Sequence, residues 1–190
     1  MATASDSFTR ADAADLGAAW VGSSNSPQVI SNELAPSQVT PTGSRAVYAT
    51  AFDSSNHYAQ MRIRANLAGP GLICRAASAS ATALHYLGFS TGSGVAFYRF
   101  DGTNYVTIGS ATTVTIAGED MLRFAVVGPT LSFYVNTRLV MEALDTTLTS
   151  GLYAGLFIEN LSTRNDDWSA ADVEATNKSA MGAMLNRGRR

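Results

Sequence analysis

The sequence predicts an all-β fold, a sandwich or barrel of short antiparallel strands, and three observations carry that prediction. The first is strict alternation on both sides of a tight turn. Between Gly118 and Val140, the side chains of Leu122, Phe124 and Val126 fall on one face, and Leu131, Phe133 and Val135 fall on the same face after Gly128-Pro129. Arg123, Ser132, Tyr134 and Asn136 take the other. A period of two around a Gly-Pro tip marks an antiparallel hairpin with one buried face. Cross-strand pairs such as Phe124 with Phe133 are each worth roughly 0.2–1 kcal/mol over an alanine pair. The second observation is spacing: turn signals recur every ~8–12 residues, which predicts twelve to fourteen short strands and no helix. The third is composition. Hydrophobic residues make up 46% of the 190 and charged residues only 15%, and Ala, Val, Leu and aromatics interleave with Ser, Thr and Gly, which suits strands and turns.

Along the chain, Phe8 anchors a predicted short first strand and Trp20 a second, and Val29-Ile30 is a brief strand within a Ser/Asn/Pro-rich stretch from Gly22 to Pro41. Strands are then predicted over 46–52 and 57–65. A Gly69-Pro70-Gly71 turn follows, with further strands over 72–77, 84–89, 94–100 and, after Asp101-Gly102, 105–108. Thr112–Ile116 precedes the central hairpin, Leu139–Glu142 extends it, and Gly151–Glu159 forms a long apolar strand. Ser162–Asp167 reads as a loop leading to Trp168. Residues 1–172 form one domain, and 173–190 break the pattern as a C-terminal basic arm carrying Met181, Met184, Leu185, Arg187, Arg189 and Arg190.

The net charge of −2 is unevenly spread: the last thirteen residues hold four basic side chains and no acid, and the other 177 hold 9 basic and 15 acidic ones. An acidic body is poorly suited to nucleic acid, because phosphate contacts need clustered positive charge. Cys74 is the single cysteine, so no disulfide framework is expected and the thiol reads as a small buried hydrophobe. No apolar run reaches the ~18 residues of a membrane span. The first residues show no basic segment followed by an apolar core, so synthesis in the cytoplasm without a secretory signal is expected.

The order of several motifs gives a resemblance. D-S-F-T-R-A-D, L-G-x-x-W, G-L-I-C-R-A, F-Y-R-F-D-G, A-G-E-D-M-L-R-F-A-V-V-G-P-T-L-S-F-Y-V-N and G-L-Y-A-G-L-F, over Asp6–Ala170, resemble the concanavalin A-like lectin/glucanase jelly roll. More narrowly, they resemble its laminin-G-like modules in tailed-bacteriophage structural proteins. The resemblance implies an antiparallel two-sheet jelly-roll sandwich. Two positions depart from the family. Asn136-Thr137 stands where Asn-Gly is frequent, which removes the easy positive-φ residue. The Glu-x-Asp-x-x-Glu run of the glucanases is missing.

Chemistry is sparsely signalled. Glycoside hydrolysis needs two carboxyl groups flanking a sugar, about 5–5.5 Å or 6.5–9.5 Å apart, whereas most acids here border turns and only Glu142 and Glu159 approach strand interiors. His57 and His85 lack ligand spacing and a G-x-S-x-G nucleophile, and read as surface or packing residues. Asp166 and Asp167 could offer oxygens to a calcium ion; no other metal and no cofactor is expected. Trp20 and Trp168 read as core residues. Arg62, Arg75, Arg99 and Arg123 each project from a different predicted strand, away from the core, with Tyr58, Gln60, Tyr134 and Asn136 on the same side. Such a face suits an anionic glycan or a protein partner through bidentate hydrogen bonds and ring stacking.

The resulting expectation is a non-enzymatic virion component of a tailed phage, on capsid or tail. It would be made in the host cytoplasm, oligomeric like other virion modules, docked by its arm to capsid or tail proteins, and able to touch host-surface carbohydrate. The alternatives are a free carbohydrate-binding adhesin and a glycanase with diverged carboxylates.

Overall fold

The computed structural model describes residues 1–37, 43–65, 68–111 and 113–173. Fifteen strands follow one another without a helix among the described residues. In chain order they are β1 (Thr3–Asp6), β2 (Trp20–Gly22), β3 (Gln28–Ile30), β4 (Glu33–Ala35), β5 (Ser44–Tyr48), β6 (His57–Ala65), β7 (Ala68–Ala76) and β8 (His85–Thr91). They continue with β9 (Val95–Phe100), β10 (Tyr105–Ala111), β11 (Met121–Val127), β12 (Thr130–Val135), β13 (Arg138–Leu144), β14 (Tyr153–Ile158) and β15 (Arg164–Asp172). Every pairing is antiparallel. Sheet A runs β13-β12-β11-β6-β15-β4-β3 with β1 also on β15, and sheet B runs β10-β9-β8-β7-β14-β5-β2. The chain crosses repeatedly between the sheets, as at β5–β6–β7 and β13–β14–β15.

The central hairpin has the predicted register, with Leu122 opposite Val135, Phe124 opposite Phe133 and Val126 opposite Leu131. Gly128 takes φ +55 and the proline that follows supplies a fixed negative φ, the φ signs of a II′ turn that matches strand twist. At the next turn Asn136 itself adopts φ 56. Its amide oxygen accepts the Met121 N–H at 3.0 Å and its Nδ2 donates to Asp120 at 2.8 Å. Asparagine tolerates the left-handed region because its short polar side chain can bond locally, so the glycine expected after it is dispensable.

Between the sheets the core is aromatic. Phe97 of sheet B packs against Phe124 and Phe133 of sheet A at ring-centroid distances of 5.3 and 6.4 Å. Phe124 fits into a notch at Gly88, where an added Cβ would stand 2.6 Å from the ring. Trp20 and Trp168 are core residues, as expected: their rings meet at 4.6 Å, and Tyr48 lies 5.5 Å from each. Trp20 Nε1 donates to Asp6 at 2.9 Å, which ties β2 to the end of β1. Cys74 is buried, and burial raises its thiol pKa far above the ordinary range, so it acts as an inert apolar side chain.

Four local expectations need correction. Gly69-Pro70-Gly71 lies inside β7 at a register shift, not in a turn. Residues 113–116 form no strand, yet Val114 and Ile116 are buried. Phe8 is in the core but outside β1, because the chain bends at φ 53 where its N–H bonds to Asp6. Ser162–Asp167 is largely the start of β15 and not a loop. Two register shifts and a φ of 50 at Asp167 break the alternation there, and pairing on both edges buries polar Asn165 and Asp166. β4 had no apolar alternation to betray it. The arm residues Met181, Met184, Leu185, Arg187, Arg189 and Arg190 lie outside the described residues.

Replacing Gly88 by Ala should lower stability by about 1–3 kcal/mol through overpacking against Phe124. The check is a shift of the urea midpoint with the β-type far-UV spectrum retained.

Candidate functional site

The outer faces of the two sheets differ sharply. That of sheet B is apolar: Val47, Ile73, Ala76, Leu87, Phe89 and Phe157 form a second buried cluster, separate from the core, with Tyr98, Tyr105 and Tyr153 packed on it. Phe157 lies 5.7 Å from Phe89 and 5.7 Å from Tyr105, both edge-on, and Tyr98 lies 6.2 Å from Phe89 and 6.1 Å from Tyr105. Tyr105 is on the edge strand β10 and Phe157 on β14, four strand steps away in the sheet order. A flat sheet would separate them by about 19 Å at ~4.8 Å per step. Two side chains cannot span that gap, so sheet B curls around this face and makes it concave.

The curl forms a pocket of about 200 Å³ lined by Leu87, Phe89, Tyr98, Tyr105, Phe157 and Glu159. Its floor depends on Gly71, where a Cβ would come 2.7 Å from Leu87 and 3.2 Å from Phe157. Exposed Glu159 supplies a carboxylate at the rim. Ring faces and edges beside one acceptor can stack on an apolar ring face while taking a hydroxyl hydrogen.

Beneath Tyr105 lies a polar chain. Arg45, 6% exposed, places its guanidinium 4.5 Å over the Phe100 ring and donates to the Tyr105 hydroxyl at 3.4 Å. That hydroxyl lies 3.2 Å from His85 Nε2, and His85 Nδ1 lies 2.7 Å from the Ala83 carbonyl. The carbonyl can only accept, so Nδ1 carries the proton and Nε2 accepts from Tyr105. Burial drives the His85 pKa down to about 4, with the Arg45 charge adding to it and the Ala83 bond opposing. The Tyr105 phenol is pushed up to about 12, again by burial. These bonds therefore fix the Tyr105 ring in place at the pocket wall.

The four predicted arginines do not share one surface. Arg62 and Arg123 do stand on the outer face of sheet A with Tyr58 and Tyr134; Arg123 lies 3.7 Å over the Tyr58 ring and 6.0 Å from that of Tyr134. Arg62 bonds Asp167 at 2.9 Å and the Glu119 carbonyl at 3.3 Å. Arg75 is buried at a bulge with φ 53, where its side chain donates to the Ser55 and Leu148 carbonyls and to Asn56, and its N–H donates to His57 Nε2. It staples loops together, away from the outer face of sheet A. Arg99 lies on the inward side of β9, where it bonds Asp145 at 3.1 Å and Thr147 at 2.7 Å. Tyr86 bonds the same carboxylate at 2.6 Å. Burial opposes ionisation of Asp145, but these partners outweigh it and hold the carboxyl below its usual range. Asn136 is a turn residue, as described above. Asp166 and Asp167 are occupied by Arg64 and Arg62, and among the described residues no three metal-ligating side chains converge. Glu142 and Glu159 lie on opposite outer faces, in different sheets, so they do not flank one substrate.

Alternation misled on β9 because both of its faces are apolar. Val95 and Phe97 point inward with Arg99, whereas Tyr98 and Phe100 line the concave side. The available signal was that doubling itself: Leu87 and Phe89 beside Tyr86, and Tyr98 and Phe100 beside Phe97, give strands apolar on both parities. In a two-layer sandwich that leaves one set of rings outside the core.

His57 and His85 are both fully buried packing residues. Burial lowers the pKa of each, with His85 at about 4. A histidine whose folded pKa is depressed contributes its full stability above the unfolded value of about 6.5, and that contribution shrinks as pH falls toward the folded value. Stability should therefore decline from about pH 6.5 to about 4, by about 3 kcal/mol for His85 alone. Urea midpoints measured across that range check it, and His85→Phe should flatten the profile.

No family model matches the chain, and no curated protein sequence does. Solved structures match by fold. The carbohydrate-binding module CBM66 from Bacillus subtilis superposes with a TM-score of 0.60 at 17% identity, covering 82% of this chain and 93% of that one. The exoplasmic/lumenal domain of VIP36, in a form bound to Ca2+ and Man3GlcNAc, gives 0.56 at 8% identity, over 86% and 87%. A prokaryotic β-1,3-1,4-glucanase (lichenase) derived from a mouse hindgut metagenome gives 0.53 at 11%, over 90% and 99%. The fold is thus the two-sheet antiparallel jelly roll that lectin-like, carbohydrate-binding and glucanase domains share.

Proposed function

We propose that this chain is a carbohydrate-binding module that seats a saccharide in the concave face of sheet B and does no chemistry on it. The observation that carries the reading is the pocket formed by Phe89, Tyr98, Tyr105 and Phe157 with Glu159 at its rim. A sugar ring has an apolar face of C–H groups and a girdle of hydroxyls. The rings would take the face, and Glu159 would accept from a hydroxyl. The binding role of the CBM66 module and the sugar-bound state of VIP36 support the reading at the level of fold. The separation of Glu142 from Glu159 favours binding over hydrolysis, because it removes the one carboxylate pair that strand positions suggested.

Display on a tailed-phage particle, with the arm 173–190 docked to capsid or tail protein, is the setting we propose for the module. It rests on the motif order and the basic arm, and the similar structures add no support to it. Deleting 173–190 should release the protein from particles while its far-UV spectrum is kept; a truncated protein that stays on particles refutes the docking role.

The sugar-binding reading is tested on a glycan array with wild type and Tyr98→Ala. Tyr98 is half-buried on the outer face, so the variant should fold. Loss of its ring should weaken the strongest wild-type signals by about tenfold, equivalent to ~1.4 kcal/mol. Signals equal to wild type would place binding elsewhere.

A further inference from the structure

A second site, independent of the concave pocket, is legible on the opposite outer face. Arg123 on β11 is a half-buried cation whose guanidinium carbon stands over the Tyr58 ring, 3.7 Å from its centroid, and 6.0 Å from that of Tyr134. Among the described residues none of its nitrogens donates to a protein acceptor, and Nε is buried without a partner. Its neighbours on the same face are spent differently: Arg62 is paired with Asp167, and Arg64 with Asp166 and Glu119. A guanidinium is normally held this firmly by a carboxylate. Here two aromatic rings hold the guanidinium in place, and its hydrogen-bonding groups are left unspent.

Gln60 on β6 is the direct cross-strand neighbour of Arg123, and it forms one wall of a groove of about 640 Å³. The groove crosses β6, β15 and the end of β1, and is lined by Gln60, Arg62, Met121, Ser169 and Ser5 among others. The carboxylates that border it are engaged, Asp6 with Arg10 and Trp20 and Asp167 with Arg62. What remains is an amide, hydroxyls and one edge of Arg62. These are donors and acceptors suited to sugar hydroxyls, next to a cation with no anion.

We propose that the outer face of sheet A is a second binding surface, for a saccharide bearing a carboxylate. The carboxylate takes the terminal nitrogens of Arg123, and the adjoining sugar ring lies along the groove over Gln60 and Ser169. The planar guanidinium can offer two parallel N–H bonds to a carboxylate, which an ammonium cannot.

The test uses isothermal titration of the full chain with an oligogalacturonate, a neutral oligosaccharide of equal length, and a sulfated dextran. Wild type should bind the oligogalacturonate, and the neutral sugar should not compete for that site. Arg123→Gln should weaken binding at least tenfold and Arg123→Lys by an intermediate factor, because charge without a planar fork recovers only part. Tyr98→Ala, which removes a ring of the concave pocket, should bind oligogalacturonate like wild type. Unaltered affinity in Arg123→Gln, or no wild-type binding, overturns the proposal. Equal binding of sulfated dextran in wild type and of both anions in Arg123→Lys would also overturn it, by showing a charge effect without carboxylate geometry. Loss of oligogalacturonate binding in Tyr98→Ala would assign the ligand to the concave pocket instead.

Discussion

The curl of sheet B is the constraint on which the rest of the molecule depends. A sheet of seven strands laid flat would present its outer aromatics one by one to solvent, and no pocket would exist. Curling brings Tyr105 of the edge strand against Phe157 of β14, and the cluster then buries apolar surface that a flat sheet would waste. The backbone permits this closeness where side chains are missing. Gly155 is one such place, because a Cβ there would fall 2.3 Å from the Ala46 carbonyl oxygen, so β14 and β5 could not approach as they do. Gly71 keeps the floor of the concavity clear on the next strand. The inner face answers the same curvature with Phe124 seated against Gly88.

Burial in this sandwich is consequently split into two apolar layers that serve different ends. The inner layer joins the sheets through Phe97, Phe124, Phe133 and the Trp20–Trp168 contact. The outer layer on sheet B is smaller and stays partly open at Tyr98 and Tyr105, where apolar area and rigid ring orientation coexist. Tyr105 and His85, which burial keeps neutral, hold that layer together with the Arg45 hydrogen bond, so the geometry of the concave face is insensitive to moderate changes of pH even where total stability is not.

The fold was largely legible in the sequence because it depends on local rules. The hairpin of β11 and β12 declares itself through period-two alternation and a Gly-Pro tip, and β6 was delimited residue for residue. β15 was not, since its bulges at Asp166 and Asp167 scramble the alternation and its burial comes from strands far away in the chain. The site was less legible for the same reason. Tyr58, Arg62, Arg123 and Tyr134 could be assigned to one face because β6 and β12 have one apolar parity each and the large Leu122, Phe124 and Val126 mark the inner row of β11. Arg75 and Arg99 were misassigned because a bulge turns one and a doubly apolar strand hides the orientation of the other. The concave pocket needs residues from β8, β9, β10 and β14 to meet across a curved sheet, and curvature leaves no pattern along a single strand.

The first and last strands of the sandwich lie side by side. β1 lies antiparallel on β15, with Thr3 opposite Ala171. Ala2 N–H bonds the Asp172 carboxylate and Asp172 N–H bonds the Ala2 carbonyl, so the chain enters and leaves the sandwich at neighbouring points. Both points are on sheet A, whereas the concave pocket opens from sheet B. A short linker from the end of β15 to the start of β1 would therefore suffice for a circular permutant of the sandwich, and the same two points would allow the sandwich to be spliced into a surface loop of a host protein, with the pocket facing away from the junction in either arrangement.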